Sequence, residues 1–114
     1  MTKEELSQLY YLSGEIEMHK RRLQELKHLP PAPDNIRDID DISNTISKVL
    51  QRCINERERL ETFIARIDDD LLRQVFIYRF AAALPWREIA LRVGGGNSSG
   101  SLKMMCYRHL EKSQ

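Results

Sequence analysis

The sequence predicts an all-α protein in which a long helical hairpin precedes a domain of three short helices. Apolar residues recur every seven positions through the first 67 residues, as they do along helices that pack like coiled coils. From residue 68 onward, short runs with helical spacing are separated by three aspartates, by Pro85 and by the glycines at 94–96. We therefore expect residues 1–67 to form a hairpin for oligomerisation or partner binding, and residues 68–114 to form a second domain.

The first helix is predicted over residues 3–28. Thr2 and Glu5 have the spacing of a capping box, which marks a helix start. His19 falls in a core-type row, and we interpret it as a tolerated, partly exposed histidine, with a pH-sensitive switch as the alternative. The two apolar rows, each with a spacing of seven, are Leu9, Ile16 and Leu23, and Leu12, His19 and Leu26.

The second helix is predicted from Ile36 or Asp38 to Ile67. Three prolines at positions 30, 31 and 33 end the first helix and predict a stiff, extended connector. A short connector between two long helices predicts an antiparallel hairpin. The apolar stripe of the second helix is too long for one helix to cover, so it needs the C-terminal domain or a second subunit, and of these we expect a homodimer. Its rows are Ile39, Ile46, Cys53, Leu60 and Ile67, and Ile42, Val49, Glu56 and Phe63.

Asp68-Asp69-Asp70 interrupts the seven-residue pattern and marks the start of a third helix. Aspartate caps helix N-termini well, and negative charge is favourable there because of the helix dipole. The helix is predicted from Leu71 to about Ala82. Its expected inner residues are Leu72, Val75, Phe76 and Phe80.

Two further helices separated by a glycine turn complete the chain. Apolar residues at Trp86, Ile89, Ala90 and Val93 have helical spacing, and Pro85 suits a first helical turn. The glycines at 94–96 supply positive φ and stop this helix. The next helix is predicted to begin near Ser98 or Ser99. Its inner residues would be Leu102, Met105, Cys106 and Leu110.

A short helix, a glycine turn and a second helix with a basic, hydroxyl-bearing outer face are typical of proteins that place a helix in the DNA major groove. Ile89-Ala90 followed by Gly94 resembles the helix-turn-helix signature. Together with the upstream LLRQVFIYRF, this segment is similar to the fourth region of bacterial sigma factors, and more narrowly to phage regulators of the RinA and ArpU type. The resemblance covers residues 68–112. Two departures are Leu84-Pro85, where family members often carry Ser or Thr, and a turn longer by about two residues.

The resemblance implies a sequence-specific, DNA-binding transcriptional regulator of phage or prophage origin, working in the bacterial cytoplasm. It also implies a structural ion pair between Arg79 and Glu88, with a DNA contact as the alternative. We interpret Trp86 as a core anchor, and Lys103 as the first base-reading residue. The residues expected to contact double-stranded DNA are Arg87, Arg92, Asn97, Ser98, Ser99, Ser101, Lys103, Met104, Tyr107 and Arg108.

The distribution of charge along the chain, and not the net charge, supports a DNA-binding segment in the C-terminal half. Lys and Arg number 18 against 17 acidic residues, so the net charge indicates nothing about nucleic acid. The basic excess lies after residue 70, where an electrostatic footprint is expected. The acidic residues there are Glu88 and Glu111, and the basic ones are Arg73, Arg79, Arg87, Arg92, Lys103, Arg108 and Lys112.

The residues do not predict an enzyme. Cys106 and His109 are three apart, but nothing at ligand spacing completes a metal site. The glycine-rich run lacks the Gly-Lys-Ser/Thr ending of a phosphate-binding loop. Cys53 and Cys106 take inward positions, as buried thiols do in a reducing compartment. We therefore expect no catalytic residue, no cofactor, no metal and no small-molecule substrate.

Two alternatives to a regulator remain open at this level. In a regulator, the hairpin would dimerise the protein or contact RNA polymerase. The first alternative is a sigma-like helical protein that binds another protein. The other is a small terminase-type DNA-packaging subunit, because such subunits also use a helix-turn-helix. No run approaches the roughly 18 apolar residues of a membrane span, so no membrane partner is expected.

Overall fold

The computed structural model describes residues 1–30, 32 and 36–113, and these residues contain helices and no strand, which confirms the all-α class. Most of the predicted proline connector, at positions 31 and 33–35, lies outside the described residues. The helices are α1 Lys3–Leu6, α2 Gln8–Lys27, α3 Ile36–Ala65, α4 Asp70–Phe76, a π-helical segment Ile77–Ala81, α5 Trp86–Val93 and α6 Ser99–Lys112.

The chain divides into two compact units, one formed by residues 1–11 with 59–114 and the other by residues 12–58. This division differs from the predicted boundary near residue 68, because both ends of the hairpin group with the C-terminal helices. The reason is that residues at both ends of the hairpin are buried or form ion pairs within the unit of residues 1–11 and 59–114. Leu6 and Leu60 are fully buried there, and Glu5 forms an ion pair with Arg59 at 2.6 Å.

The N-terminus begins with the predicted capping box. The Glu5 N–H donates to Thr2 Oγ1 at 3.1 Å, and the Thr2 N–H donates to Glu5 Oε1 at 3.2 Å. The helix predicted over residues 3–28 is nevertheless divided into α1 and α2 at Ser7. The Ser7 hydroxyl donates to the Lys3 carbonyl at 2.7 Å, a local bond that competes with regular helical bonding.

In the unit of residues 12–58, the two helices run antiparallel, as predicted. Glu15 near the start of α2 meets Cys53 near the end of α3, whereas Leu26 shares a groove with Ile42. His19 is 7% exposed and packs inside the hairpin, so its interpretation as a partly exposed residue was wrong. The buried residues described in this unit are Ile16, His19, Ile46 and Cys53.

The core of the other unit is centred on Phe76, which is fully buried at the end of α4. Its ring centroid lies 6.3 Å from that of Phe63 on α3, 5.4 Å from that of Phe80 and 5.5 Å from that of His109 on α6. Asp69 caps α4 by accepting a hydrogen bond from the Leu72 N–H at 2.8 Å. This confirms the predicted role of the aspartate triplet.

The third helix was predicted to run regularly to about Ala82, but its second half is a π-helical segment. The Ala82 N–H donates to the Ile77 carbonyl five residues back at 3.1 Å. Ala83 then takes a left-handed φ of 55°, and the Leu84 N–H donates to the Tyr78 carbonyl at 3.0 Å. Wider turns of this kind are frequent where a helix must position a functional element. Here the π-helical segment directs the chain into α5.

Phe76→Ala should destabilise the protein strongly, because it removes the ring that joins α3, α4 and α6. The expected loss is about 3–5 kcal/mol of unfolding free energy, the usual cost of removing a buried aromatic side chain. The neighbouring Ile77 is 45% exposed and provides the control, since Ile77→Ala should cost less than about 1 kcal/mol. Chemical denaturation measures both; equal losses would contradict this account of the core.

Candidate nucleic-acid interface

The candidate interface is the helix-turn-helix made by α5, the glycine turn and α6. The predicted helix start at Pro85 is one residue early, because Pro85 is the N-cap and α5 begins at Trp86. Ile89 on α5 and Leu102 and Cys106 on α6 are fully buried. The apolar contact between these residues holds α5 against α6. The opposite face of α6 is exposed to solvent.

The turn between the two helices depends on three consecutive glycines with positive φ. The φ angles of Gly94, Gly95 and Gly96 are 64°, 68° and 76°. Gly94 also has a ψ of −152°, a combination that is essentially limited to glycine. The Asn97 side-chain amide donates to the Gly94 carbonyl at 2.9 Å and closes the turn. The longer turn thus has an ordered, internally bonded conformation.

Ser98 determines where α6 begins. Its hydroxyl accepts a hydrogen bond from the Ser101 N–H at 3.1 Å, and its carbonyl accepts one from the Leu102 N–H at 3.1 Å. The helix runs from Ser99 to Lys112, so its predicted start near Ser98 or Ser99 agrees with the structure. The first-turn N–H groups of a helix of this length carry a partial positive charge.

Most of the predicted contact residues lie on the surface of this helix pair. Met104 is 54% exposed although it is a large apolar residue. Asn97, Ser99 and Tyr107 are only partly exposed. The exposed members of the predicted set are Arg87, Arg92, Ser98, Ser101, Lys103, Met104 and Arg108.

The ring of Tyr107 is already in contact with other side chains of the protein. Its ring packs edge-on against Trp86, with centroids 6.2 Å apart, and is flanked by two ammonium groups. Lys3 Nζ lies 5.2 Å and Lys103 Nζ lies 5.8 Å from the ring centroid, within the range of a cation–π contact. The sequence analysis did not identify Lys3 here. No local signal links residue 3 to residue 107, because folding alone brings them together.

Trp86 is partly exposed and contacts the π-helical segment as well as α6. The Arg79 guanidinium carbon lies 4.9 Å from the centroid of the Trp86 ring. The indole Nε1 is buried and has no hydrogen-bond partner among the described residues. This tryptophan packs between neighbouring elements of the fold, but it is not one of the buried core residues, so its prediction as a core anchor is not confirmed.

The ion pair predicted between Arg79 and Glu88 does not form and was wrong. Arg79 instead donates to the Leu84 carbonyl at 3.0 Å, which satisfies the irregular chain before α5. Glu88 pairs with Arg92 one turn later on α5 at 3.2 Å. Arg92 therefore shares its charge with an acid, whereas Arg87 has no hydrogen bond or ion pair among the described residues.

The exposed surface of α6 combines donors, positive charge and an apolar side chain. Ser101 supplies a hydroxyl, Lys103 an ammonium and Arg108 a guanidinium, with Met104 between them. Such a face can form hydrogen bonds with phosphates and base edges, and its thioether can contact a methyl group. Among the described residues, no helix combines the length and apolar character needed to cross a lipid bilayer.

Comparisons of the chain with protein-family models, with curated proteins and with solved structures gave no significant match. The candidate interface therefore depends on the residues and geometry of this chain alone.

Gly94→Ala should destabilise the helix-turn-helix, because the alanine Cβ is unfavourable at this backbone conformation even though space is available. We expect a loss of about 1–3 kcal/mol. Gly100→Ala is the matched control, since Gly100 is helical and a Cβ there meets no atom within 4 Å. That change should stabilise the protein by about 0.4–1 kcal/mol. Thermal or chemical unfolding compares the two; effects of the same sign would contradict the proposed role of the turn.

Proposed function

We propose that this chain is a sequence-specific DNA-binding transcriptional regulator that places α6 in the major groove. One observation carries the proposal: a glycine turn and a buried apolar contact hold α6 against α5 so that a basic, hydroxyl-bearing face remains exposed. That face is formed by Ser101, Lys103, Met104 and Arg108. An α-helix has the diameter that the major groove accepts, and base edges there are read by such side chains.

Lys103 is the leading candidate for base readout. It lies in the second turn of α6, and its ammonium rests near the Tyr107 ring, which restricts its motion. A lysine contacts guanine O6 and N7 in the major groove. Met104 is suited to contact a thymine methyl, because its exposed side chain is apolar. Arg108, one turn later, can reach a guanine edge or the backbone.

Phosphate contacts are assigned to the helix ends and to α5. The capped N-terminus of α6 presents backbone N–H groups, together with the hydroxyls of Ser98, Ser99 and Ser101. Arg87 is an exposed cation available for a phosphate, whereas Arg92 must first separate from Glu88. Asn97 contributes by closing the turn, since its side-chain amide is bonded to Gly94.

The biological setting proposed here is a phage or prophage regulator in the bacterial cytoplasm. It rests on the likeness of residues 68–112 to the fourth region of sigma factors and to regulators of the RinA and ArpU type. In that setting RNA polymerase is a proposed partner. A protein partner also has a specific observation in its favour, because Leu91 on α5 is 74% exposed. A small terminase-type packaging subunit remains the alternative among DNA-binding proteins.

A titration at several salt concentrations, using a selected DNA site and a scrambled one, tests the proposal. Arg87→Ala should weaken binding to both DNAs alike and reduce the salt dependence by about one ion. Lys103→Ala should weaken binding to the selected site by about 1–3 kcal/mol while changing the scrambled site less, because it removes a base contact. Lys48→Ala, which removes an exposed positive charge from α3, is the control and should leave both affinities unchanged.

Two results would contradict the DNA-reading proposal. The first is the absence of binding to either DNA by a protein that circular dichroism shows to be helical. The second is an equal effect of Arg87→Ala and Lys103→Ala on both DNAs. Binding that is confined to a packaging site instead of a promoter would favour the terminase-type alternative.

A homodimer is proposed through the hairpin unit. Ile46 and Leu60, which lie on the predicted stripe, are 4% and 0% exposed within one chain, so substituting them would unfold the protein. Ile42 is 46% exposed and lines an open groove with Leu26 and Leu29, which the charged side chains of Arg22 and Glu25 also line. We propose that this groove packs against the same groove of a second copy of the chain.

Ile42→Asp should therefore shift the protein towards monomer, because a charge at an apolar interface is costly. Asn44→Asp adds the same charge at an exposed α3 position and should leave the dimer intact. Light scattering at micromolar concentration measures both. A monomeric wild-type protein would refute the dimer without bearing on DNA binding.

A further inference from the structure

The hairpin unit brings one carboxylate, one imidazole and one thiol together between α2 and α3. Glu15 and His19 are one turn apart on α2, and Cys53 faces them from α3, 38 positions after Glu15. The Cys53 thiol donates a hydrogen bond to Glu15 Oε2 at 2.7 Å, and the same oxygen lies 3.3 Å from His19 Nε2. One nitrogen, one sulfur and one oxygen of these residues lie within 4.8 Å of one another.

Two of these three residues occupy core positions of the hairpin. His19 and Cys53 are each 7% exposed. The other ring nitrogen, His19 Nδ1, is buried without a hydrogen-bond partner among the described residues. An apolar residue at this position would avoid the cost of an unpaired buried polar atom. Nε2 is the nitrogen that faces the Glu15 carboxylate, so it is the histidine atom placed to hold a ligand.

We propose that Glu15, His19 and Cys53 bind a divalent transition-metal ion of the zinc type. Imidazole nitrogen, thiolate sulfur and carboxylate oxygen are the ligands that zinc uses in proteins. Three protein ligands leave a fourth tetrahedral position, which water can occupy. One thiolate and one carboxylate also balance the double positive charge, so the ion can lie in this partly buried seam without excess charge.

One of the interatomic distances already suits a tetrahedral ion, and another requires a small movement. Ligand atoms about 2.0–2.3 Å from zinc lie about 3.3–3.7 Å from one another. The 3.3 Å separation of His19 Nε2 and Glu15 Oε2 meets this requirement. The sulfur and Oε2 must separate by roughly 0.8 Å to reach the same geometry. Glu15 can supply that movement, because its side chain is 45% exposed while the histidine and cysteine stay packed.

The thiol of Cys53 loses its proton when the ion binds. Burial and the adjacent Glu15 carboxylate raise the pKa of Cys53 to about 11, so the metal-free thiol stays protonated. The hydrogen bond from this thiol and the nearby His19 lower the pKa of Glu15, which keeps the carboxylate ionised. The ion thus replaces the thiol proton between sulfur and oxygen, and that proton is released to solvent.

Such a site has a structural consequence for the hairpin. The ion would join α2 to α3 at a point where the unit has few buried residues. Binding to the folded state stabilises a protein by an amount that rises with the logarithm of the ligand concentration relative to Kd. The site is independent of the proposed DNA-binding residues, since those belong to the other compact unit.

Cobalt(II) provides the first test, because its spectrum reports both sulfur ligation and four-coordinate geometry. The full-length, metal-free protein should bind one cobalt ion per chain, with a sulfur-to-metal charge-transfer band and visible bands of tetrahedral intensity. Zinc chloride should displace the cobalt and raise the melting temperature. Cys53→Ser and His19→Ala should each weaken zinc binding by more than about 100-fold, since even residues that only support a ligand can cost up to that much.

Controls separate this site from other thiols and imidazoles in the chain. Cys106→Ala removes the other free cysteine, and His28→Ala removes an exposed histidine; both should keep the cobalt spectrum. Glu15→Gln should fold normally because Glu15 is at the surface, and should lower zinc affinity. This variant decides the question if circular dichroism shows that the two buried substitutions unfold the hairpin.

The proposal is overturned if the folded wild-type protein binds neither ion at micromolar concentration. It is also overturned if Glu15→Gln leaves the affinity unchanged, or if the charge-transfer band depends on Cys106 in place of Cys53. DNA binding by the metal-free protein does not enter this test.

Discussion

The aromatic contact of Phe76 is the interaction on which the C-terminal helices depend. This fully buried ring meets Phe63 from α3, Phe80 from the π-helical segment and His109 from α6. Aromatic pairs at these separations add specific geometry to the burial of apolar area. Because α6 is held from behind by this cluster, its opposite face can remain polar and charged. The proposed DNA-reading surface is thus a consequence of how the core is packed.

Irregular backbone, as much as the helices, positions that surface. The π-helical segment and Ala83, with its positive φ, redirect the chain before α5, and Arg79 stabilises the bend by donating to Leu84. After α5, three glycines in left-handed conformations turn the chain into α6. Strained or unusual backbone persists only where surrounding contacts determine it, and it concentrates at functional elements. The first irregular segment precedes the helix pair for which DNA binding is proposed, and the second lies between its two helices.

The hairpin unit differs from the C-terminal core, because two of its buried residues are a histidine and a cysteine. Seven-residue periodicity places both in the seam, as it would place leucine. What distinguishes them is the carboxylate of Glu15, which reaches both side chains from the surface. The i, i+4 spacing of Glu15 and His19 was a usable signal for the proposed metal site. Cys53 completes it only after the helices pair, so a search for close ligand spacing misses it.

The sequence by itself determined the features that depend on residues within about one helical turn of each other. It identified the helices, the capping residue Thr2, the aspartate triplet and the 97–99 segment that contain the other caps, and the glycine turn, because hydrogen bonds at caps and turns are local. It did not foresee the π-helical segment or the break at Ser7, where competing local bonds differ little in energy. Tertiary structure alone decided the partners of long side chains: Arg79 bonds to Leu84, and Lys3 lies over Tyr107. Such partners depend on which distant segments fold together, and flexible charged side chains have several candidates at similar cost.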